Sequence, residues 1–505
     1  MPRTFPVLPV TGPALDFSKQ SGYIILGWTF LNGRRTLFRH GPEVLPTIAS
    51  ASAGSTDEAS FPTRRAGAQP LYLSLLTDEI LAEARSRENN RVYNTPVMML
   101  LMIFQRLQKE GCLESAVLEL PGLPASLWPD PCKRLQPGQA DLSSETGAYG
   151  KARRKLPLTV VEQFCDHAFA QLTASTNGSL PGIGRRAFLF DGTTIRTPHT
   201  KELKNLYPPT SNQEGESHWP LIKMLVAHDL VTGLGMRPVW GAVNGPEAVS
   251  EQRLFEQAVE RLPDQAVVVA DANFGVFSVA YAAGQRNHPV VVRMTPARAK
   301  SLIWQGTLRH GIDRRITWKP TKADRKSHPD LPADACIRGR LIVSQVQPSD
   351  DSAPFLLCLF TTLDDDKEQV VILYGQRWNV ETDIGTLKGE LRLDQLTCRT
   401  AQMVDKEIEI AMLSYNLVRA VIYQKARQEG VAPRRFSFTK VRRILNIYEP
   451  KIAAAKSQQE AAELERKMNH YLGQAILPKR KKKRKTYPRA VWNSAKPFPR
   501  RKAQP

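Results

Sequence analysis

Tyr374-Gly-Gln-Arg377-Trp-Asn-Val-Glu381-Thr-Asp-Ile-Gly-Thr-Leu-Lys388 is a stretch that carries a phenol, two cations and a carboxylate at helical spacing. No proline interrupts the sequence from Lys367 to Leu393, so we expect one continuous helix there. At about 100° per residue, the four numbered side chains fall within roughly 60° of one another on that helix. Asp383 points to the opposite side, and we expect it to be a solvated or salt-bridged acid.

The run from Thr362 to Leu373 is expected to contain the start of this helix. Thr362 and Asp364 can cap free backbone N–H groups, and the acids at positions 364–366 suit the positive end of a helix.

Two interpretations of the charged stripe remain open on spacing alone. The first is a solvated face held together by salt bridges, which is the usual explanation for charges at helical spacing. The second is a site that handles phosphate, in which Glu381 holds a metal ion and Tyr374, Arg377 and Lys388 hold phosphate oxygens.

Two further acids each follow a short apolar run that is typical of a buried strand. Arg186-Ala-Phe-Leu-Phe190 ends at Asp191, and Ala266-Val-Val-Val-Ala270 ends at Asp271. An acid at the end of a buried strand lies at the rim of a sheet, where ligands bind. For Asp191, which precedes a glycine, an ordinary turn aspartate is the alternative.

The pattern around these acids predicts a mixed α/β fold. The segments 221–227 and 235–240 read as a β-hairpin, and the segment 266–294 reads as strand, helix and strand. A hairpin followed by a βαβ unit, with acids at strand ends, is a ribonuclease-H-like plan. The gap from Asp271 to Glu381 is too long for a simple connection, so we expect a β-rich insertion at about 295–361.

Three carboxylates from different elements suit hard cations, which prefer oxygen ligands. Two Mg²⁺ ions about 4 Å apart can activate a water and stabilise the leaving oxygen of a phosphodiester. The nine histidines show no zinc-like spacing, and the sequence has no phosphate-binding glycine loop of the Gly-x4-Gly-Lys type.

The pattern Tyr-x2-Arg-x3-Glu-x6-Lys resembles the signature of insertion-sequence-four-type DDE transposases. The resemblance covers most of the chain, from about Leu71 to about Gln424. It implies cleavage at transposon ends, followed by attack of the freed 3′-hydroxyl on target DNA. The implied partners are DNA, as terminal inverted repeats and target, and a second copy of the chain in a synaptic homodimer.

The same resemblance implies the roles of six residues. Asp191, Asp271 and Glu381 would be the catalytic acids and would hold two Mg²⁺ ions, or Mn²⁺ in their place. The residues implied to grip DNA phosphates are Tyr374, Arg377 and Lys388.

This chain departs from the family's pattern after the second acid, where it has Ala272 in place of an arginine. Some relatives flip a base onto a tryptophan of the insertion, but neither Trp304 nor Trp318 can be matched to that position. The family also has a Tyr-x-x-Ala-Arg-x-x-Leu-Pro segment in a helical DNA-binding domain, and residues 149–157 are similar to it. An ordinary exposed helix end is the alternative for the cations there.

Composition limits the remaining possibilities. The apolar fraction of 42% and the length of 505 residues are typical of a globular chain with two or three domains. No apolar run reaches about eighteen residues and the N-terminus lacks a signal-peptide core, so we expect a cytoplasmic, nucleoid-associated protein. The six cysteines are scattered singly and are expected to be small buried side chains.

The last 28 residues, Pro478 to Pro505, contain seven Lys, five Arg and no acid, so +12 of the net charge of +21 lies there. Such a tail predicts contact with a polyanion, of which nucleic acid is the leading candidate, and a solubilising tail without a partner is the alternative. A polar helix at 453–472 has a thin apolar seam that suits either a partner or the same chain.

These observations predict a ribonuclease-H-like catalytic domain of α/β class with a β-rich insertion, preceded by a helical DNA-binding domain. The predicted units are an N-terminal segment and linker (1–70), a helical domain (71–180), the catalytic domain (181–400), C-terminal helices (401–477) and a basic tail (478–505). A domesticated relative that binds DNA without cutting it is the main alternative, and the intact set of three acids argues against it. A basic structural protein would explain the charge but not the signature helix.

Overall fold

The computed structural model describes residues 67–76, 92–108, 110–123, 127, 142–212, 215–303, 306–347 and 353–478. Residues 1–66 of the predicted N-terminal segment and linker, Trp304 and nearly all of the basic tail lie outside the described residues. The predicted domain boundaries therefore stay a prediction.

Fifteen α-helices lie within these described ranges. In chain order they are α1 Ala68–Ser74, α2 Thr95–Leu107, α3 Leu113–Leu118, α4 Thr146–Lys155, α5 Leu158–Ala174, α6 Lys201–Leu206, α7 Glu251–Ala258, α8 Phe277–Gln285, α9 Pro296–Leu302, α10 Lys322–Ser327, α11 Lys367–Gly375, α12 Asn379–Gly389, α13 Ala401–Gln428, α14 Phe438–Ala453 and α15 Gln458–Gly473.

Ten strands accompany the helices. They are β1 Ala187–Arg196, β2 Ser211–Asn212, β3 Gly215–Glu216, β4 Leu221–Asp229, β5 Val239–Ala242, β6 Val267–Ala270, β7 Val290–Met294, β8 Asp313–Trp318, β9 Ile337–Val346 and β10 Phe355–Thr361.

Eight of the strands form one sheet in the order β5-β4-β1-β6-β7-β10-β9-β8, and β2 and β3 pair separately. β4 and β5 form the predicted antiparallel hairpin. β6, α8 and β7 form the predicted βαβ unit, since β6 and β7 are parallel. β1 lies between the two motifs, antiparallel to β4 and parallel to β6. The structure therefore has the mixed α/β fold that the sequence predicts.

The predicted β-rich insertion continues this sheet instead of forming a separate unit. β10 pairs antiparallel with β7, and β9 and β8 follow it outward. The basic segment 319–326 contains the start of α10, which is capped reciprocally by Thr321 and Asp324. A capping box of this kind satisfies two free N–H groups of the first turn, which explains the helix.

The long helix α13 forms the centre of the helical layer. Most of its side chains are buried, and they belong to one hydrophobic cluster with the N-terminal helices and the sheet. α2 contributes a nearly all-apolar helix to that cluster, and its start is capped by Asn94, whose Oδ1 accepts from Val97 N at 3.0 Å. None of the described helices is long and apolar enough to cross a membrane.

Two predictions about the signature helix are wrong, namely its capping by Thr362 or Asp364 and its continuity over 367–393. The helix begins at Lys367 without a side-chain cap, and Thr362 directly follows β10, where its hydroxyl accepts from Val290 N at 3.0 Å. A 3₁₀ turn over Gln376–Trp378 then separates α11 from α12. The backbone on both sides of the turn stays right-handed, so the side chains of the stripe keep approximately helical spacing.

Two other expectations are resolved by packing. The apolar seam predicted at 453–472 buries Met468 and Leu472 within the same chain, where α15 packs on α14. The expectation of buried cysteines holds for Cys165 and Cys358 but is wrong for Cys112 and Cys336, which are exposed.

Candidate active site

The register between β1 and β6 brings the first two acids together. Phe190 is the last residue of β1 that pairs with β6, and it lies opposite Ala270. Asp191 and Asp271 directly follow Phe190 and Ala270 in the sequence, so they lie side by side where the parallel pairing ends. The prediction that Asp191 ends its strand is wrong, since β1 continues to Arg196 along β4.

Both carboxylates are oriented by nearby backbone. Asp191 Oδ1 accepts from Gly192 N at 2.9 Å, and Asp271 Oδ1 accepts from Asn273 N at 2.8 Å. These bonds leave the second oxygen of each carboxylate for other partners.

A buried guanidinium joins the signature helix to the sheet. Arg377 lies 2.7 Å from Glu381 and 3.4 Å from Asp191, with only 6% of its side chain exposed. Burial alone disfavours its charge, but Tyr374, Asp191 and Glu381 outweigh it and raise the pKa of Arg377. Glu381 therefore reaches the same place as the acid of β1, as the stripe predicts.

The other two residues of the stripe lie in different surroundings. Tyr374 is buried beside Arg377, and burial raises the pKa of its phenol. Lys388 lies at the far end of α12, where its Nζ is 3.9 Å from Asp394, which also pairs with Arg196. The structure thus brings Tyr374 to the acids and places Lys388 about two turns away from Glu381.

Around Asp191 the acidic side chains outnumber the basic ones, since three acids and one arginine act on its carboxylate. Burial raises the pKa of Asp191 to about 7, Arg377 opposes that rise, and Asp271, Glu381 and Glu251 add to it. One fifth of the Asp191 side chain is exposed, so the site opens to solvent on one side.

The chemistry of this donor set fits a hard divalent cation, because every candidate ligand is a carboxylate oxygen. Within the described ranges, no group of three or more His, Cys, Asp or Glu side chains is already arranged to hold a metal ion. Arg377 lies between two of the acids and supplies the positive charge there.

A fourth acid, Glu251, lies beside the predicted ones and is missing from the sequence interpretation. It is the first residue of α7, and its carboxylate accepts from Asn273 Nδ2. Ser250 is a typical capping residue, but a cap before Glu251 does not show by itself that α7 points at β1.

Asp383 lies across α12 from the site, as predicted, but it is fully buried. It pairs with Arg419 at 2.7 Å and with Arg434 at 2.9 Å, and it accepts from Tyr415 Oη at 2.8 Å. Burial would raise the pKa of Asp383, but the two guanidinium groups outweigh it and lower the pKa. Of the two expected forms, Asp383 is the salt-bridged acid and not the solvated one, because α13 covers this face of α12.

Two residues at which the sequence differs from the family's pattern, Trp318 and Ala272, have defined surroundings in the structure. Trp318 is buried against Phe277 and Phe360, so it is a core residue of the extended sheet. The carbonyl of Ala272 accepts from Arg298 Nη1 at 2.9 Å, which brings an arginine of α9 to the loop after Asp271.

The cations of α4 do not all face solvent. Arg153 is buried with its guanidinium over the ring of Tyr149, whereas Lys151, Arg154 and Lys155 are exposed. Three exposed cations thus remain for the predicted DNA contact.

Residues 182–417 match the family model of the transposase DDE domain. This match contains all the acids described above, and it supports a DDE transposase family without singling out the insertion-sequence-four type. No curated protein matches the sequence. A cryo-EM structure of the piggyBac transposase synaptic complex with hairpin DNA is similar over 80% of this chain and 84% of that chain, at 13% identity and a TM-score of 0.37. A TM-score this low does not establish a shared fold or a shared function.

Proposed function

We propose that this chain is the DNA transposase of an insertion sequence, which cleaves DNA at transposon ends and joins the freed end to target DNA. The observation that carries the proposal is that Arg377 pairs with both Asp191 and Glu381, while Asp271 lies beside Asp191, all within the segment that matches the DDE domain. Four neighbouring residues, from β1, the end of β6, the 3₁₀ turn and α12, are more specific than any one of them alone.

The three acids would hold divalent cations, Mg²⁺ or Mn²⁺. When bound, such ions supply charge stabilisation for the attacking and leaving oxygens of a phosphodiester. Asp191 and Asp271 keep one carboxylate oxygen fixed by backbone N–H groups, which orients the other oxygen. Arg377 lies at the same point and can donate to a phosphate oxygen with a planar, charged group.

Tyr374 and Lys388 complete the proposed DNA contact. The buried Tyr374 lies close enough to Arg377 to interact with its charge, so we propose that it acts at the phosphate site together with the guanidinium. Lys388 lies farther along α12, where it would contact a phosphate neighbouring the one that is cut. The proposed partners are terminal inverted repeats, target DNA and a second copy of the chain in a synaptic homodimer.

A plasmid cleavage assay tests this function. The substrate carries the DNA that flanks the gene, and it is incubated with the full chain in Mg²⁺, in Mn²⁺ or in EDTA. We expect cleavage with either ion and none in EDTA. Asp271→Ala should abolish cleavage while DNA binding persists, because only the metal site is altered.

The matched control is Asp264→Ala, which removes an exposed acid just before β6. That variant should cleave at the wild-type rate. Cleavage by Asp271→Ala at the wild-type rate in Mg²⁺ would show that the assigned acids are wrong, and DNA binding without any cleavage by the wild type would favour a silent relative.

A further inference from the structure

Glu251 is held in one position at the start of α7. Ser250 caps the helix, since its Oγ accepts from Arg253 N at 3.1 Å, and Glu251 is the next residue. The side chain is half-buried, and its carboxylate points back toward Gly192 of β1.

Its first contact is with the residue after Asp191. A Cβ placed on Gly192 would overlap Glu251 Oε1, so the carboxylate occupies the space that any other side chain at position 192 would need. The backbone of Gly192 is not left-handed, so a side chain at this position would act by displacing the Glu251 carboxylate and not by straining the backbone.

Its second contact is with the loop of Asp271. Asn273 Nδ2 donates to Glu251 Oε2, while Asn273 N donates to Asp271 Oδ1 at 2.8 Å. Gln252 Nε2 holds the same asparagine, donating to its carbonyl at 2.7 Å and to its Oδ1 at 3.0 Å. Asn273 therefore links Glu251 to Asp271.

From these contacts we infer that Glu251 is a positioning residue of the active site, which orients Asp271 through Asn273 and raises the affinity of the site for divalent cations. The inference rests on the proposed function and adds a fourth acid to it. The negative charge of Glu251 lies beside the neighbours of both Asp191 and Asp271, so it favours a cation held between them. Outer groups that orient metal ligands typically contribute about 10- to 100-fold to metal affinity.

The test measures Mn²⁺ binding by the full chain without DNA, from the electron paramagnetic resonance signal of free Mn²⁺. Glu251→Gln keeps the shape of the side chain and an acceptor for Asn273 but removes the charge. We expect it to weaken Mn²⁺ binding by about tenfold or more. Glu256→Gln is the matched control, because Glu256 lies on the same helix and pairs with Arg253 and His328 away from the acids.

A second variant reaches Glu251 from the other side. Gly192→Ala adds the Cβ that would overlap Glu251 Oε1, so it should displace the carboxylate and weaken Mn²⁺ binding as well. In a Glu251→Ala background the same change should have no further effect, since the overlapping group is gone. Additive losses would mean that Gly192 acts independently of Glu251.

Glu381→Gln separates the failure of this inference from the failure of the proposed function. If Glu381→Gln weakens Mn²⁺ binding while Glu251→Gln and Gly192→Ala bind like the wild type, Glu251 does not position the site and the proposed function stands. Wild-type protein that shows no saturable Mn²⁺ binding, or Glu381→Gln that binds unchanged, would overturn both.

Discussion

Two acids only two positions apart on α12 have different surroundings and different roles. Two residues correspond to about 200° around a helix, so Glu381 and Asp383 cannot face the same neighbour. Glu381 faces the sheet and shares Arg377 with Asp191, and 29% of its side chain is exposed. Asp383 faces α13 and has no exposed side-chain surface. Sequence separation alone therefore says little about function, whereas the helical direction separates a site residue from a core residue.

This difference predicts distinct losses in two conservative variants. Glu381→Gln should lose cleavage with little change in stability, because a neutral amide is a poor Mg²⁺ ligand and the side chain is partly exposed. Asp383→Asn should instead lower the free energy of unfolding by about 3–5 kcal/mol, since it leaves the guanidinium groups of Arg419 and Arg434 buried without their counter-charge. Urea unfolding and cleavage of one end substrate are measured for both variants.

An Asp383→Asn variant as stable as the wild type would show that the two arginines find other partners. A Glu381→Gln variant that cleaves normally, with Asp383→Asn inactive but stable, would reverse the assignment of the two acids.

At the scale of elements, β4 and α13 meet at a polar cluster within the core. His228 of β4 packs edge-on against Tyr415 of α13, with ring centroids 5.1 Å apart. Its Nδ1 lies 3.3 Å from the carbonyl of Gly233, while its buried Nε2 has no hydrogen-bond partner in the described part of the chain. Burial lowers the pKa of His228 to about 4, against the pull of Asp383 and with the help of Arg434 and Arg419.

The lowered pKa makes this contact sensitive to acid. The unfolded chain takes up a proton on His228 near its ordinary pKa of 6.5, whereas the folded chain does so only near pH 4. Stability is therefore complete above about pH 6.5 and is lost as the pH falls toward 4, by roughly 3 kcal/mol from this group. We expect His228→Gln to flatten the dependence of the unfolding free energy on pH within this window.

The comparison uses urea unfolding at a series of pH values. His218→Gln is the control, because His218 is exposed and its removal should leave the profile unchanged. Parallel profiles for the wild type and His228→Gln would exclude His228 as the source of acid sensitivity.

The elements that could be predicted are those specified by local pattern. The apolar runs before Asp191 and Asp271 predict strands, and the hairpin and the βαβ unit follow from the order of such runs. What could not be predicted depends on partners distant in the sequence. β1 extends past Asp191 because β4 pairs with it as far as Arg196, and Asp383 is buried because α13 packs there. The approach of Glu251 to Gly192 likewise depends on where α7 lies, which periodicity does not reveal.

The whole molecule combines an acidic site with a strongly basic chain. The net charge is +21 over 505 residues, and +12 of it is in the last 28 residues. A polyanion would be attracted by this charge from any direction, while the acids around Arg377 mark one place on the sheet. Affinity for DNA and the position of cleavage are thus expected to depend on different parts of the chain.

This separation predicts the effect of deleting Pro478 to Pro505. Each phosphate that the tail neutralises releases counterions and adds about 0.9 to the slope of log affinity against log salt. The truncated chain should therefore bind every DNA sequence more weakly at low salt and show a flatter slope between about 50 and 200 mM salt. Binding is measured by fluorescence anisotropy on end DNA and on unrelated DNA of equal length. A tail of scrambled sequence keeps the same seven Lys and five Arg and should restore the slope, because phosphate contacts do not depend on their order. An unchanged slope after deletion would mean that the tail does not contact DNA, and loss of binding to end DNA alone would mean that it reads sequence instead of charge.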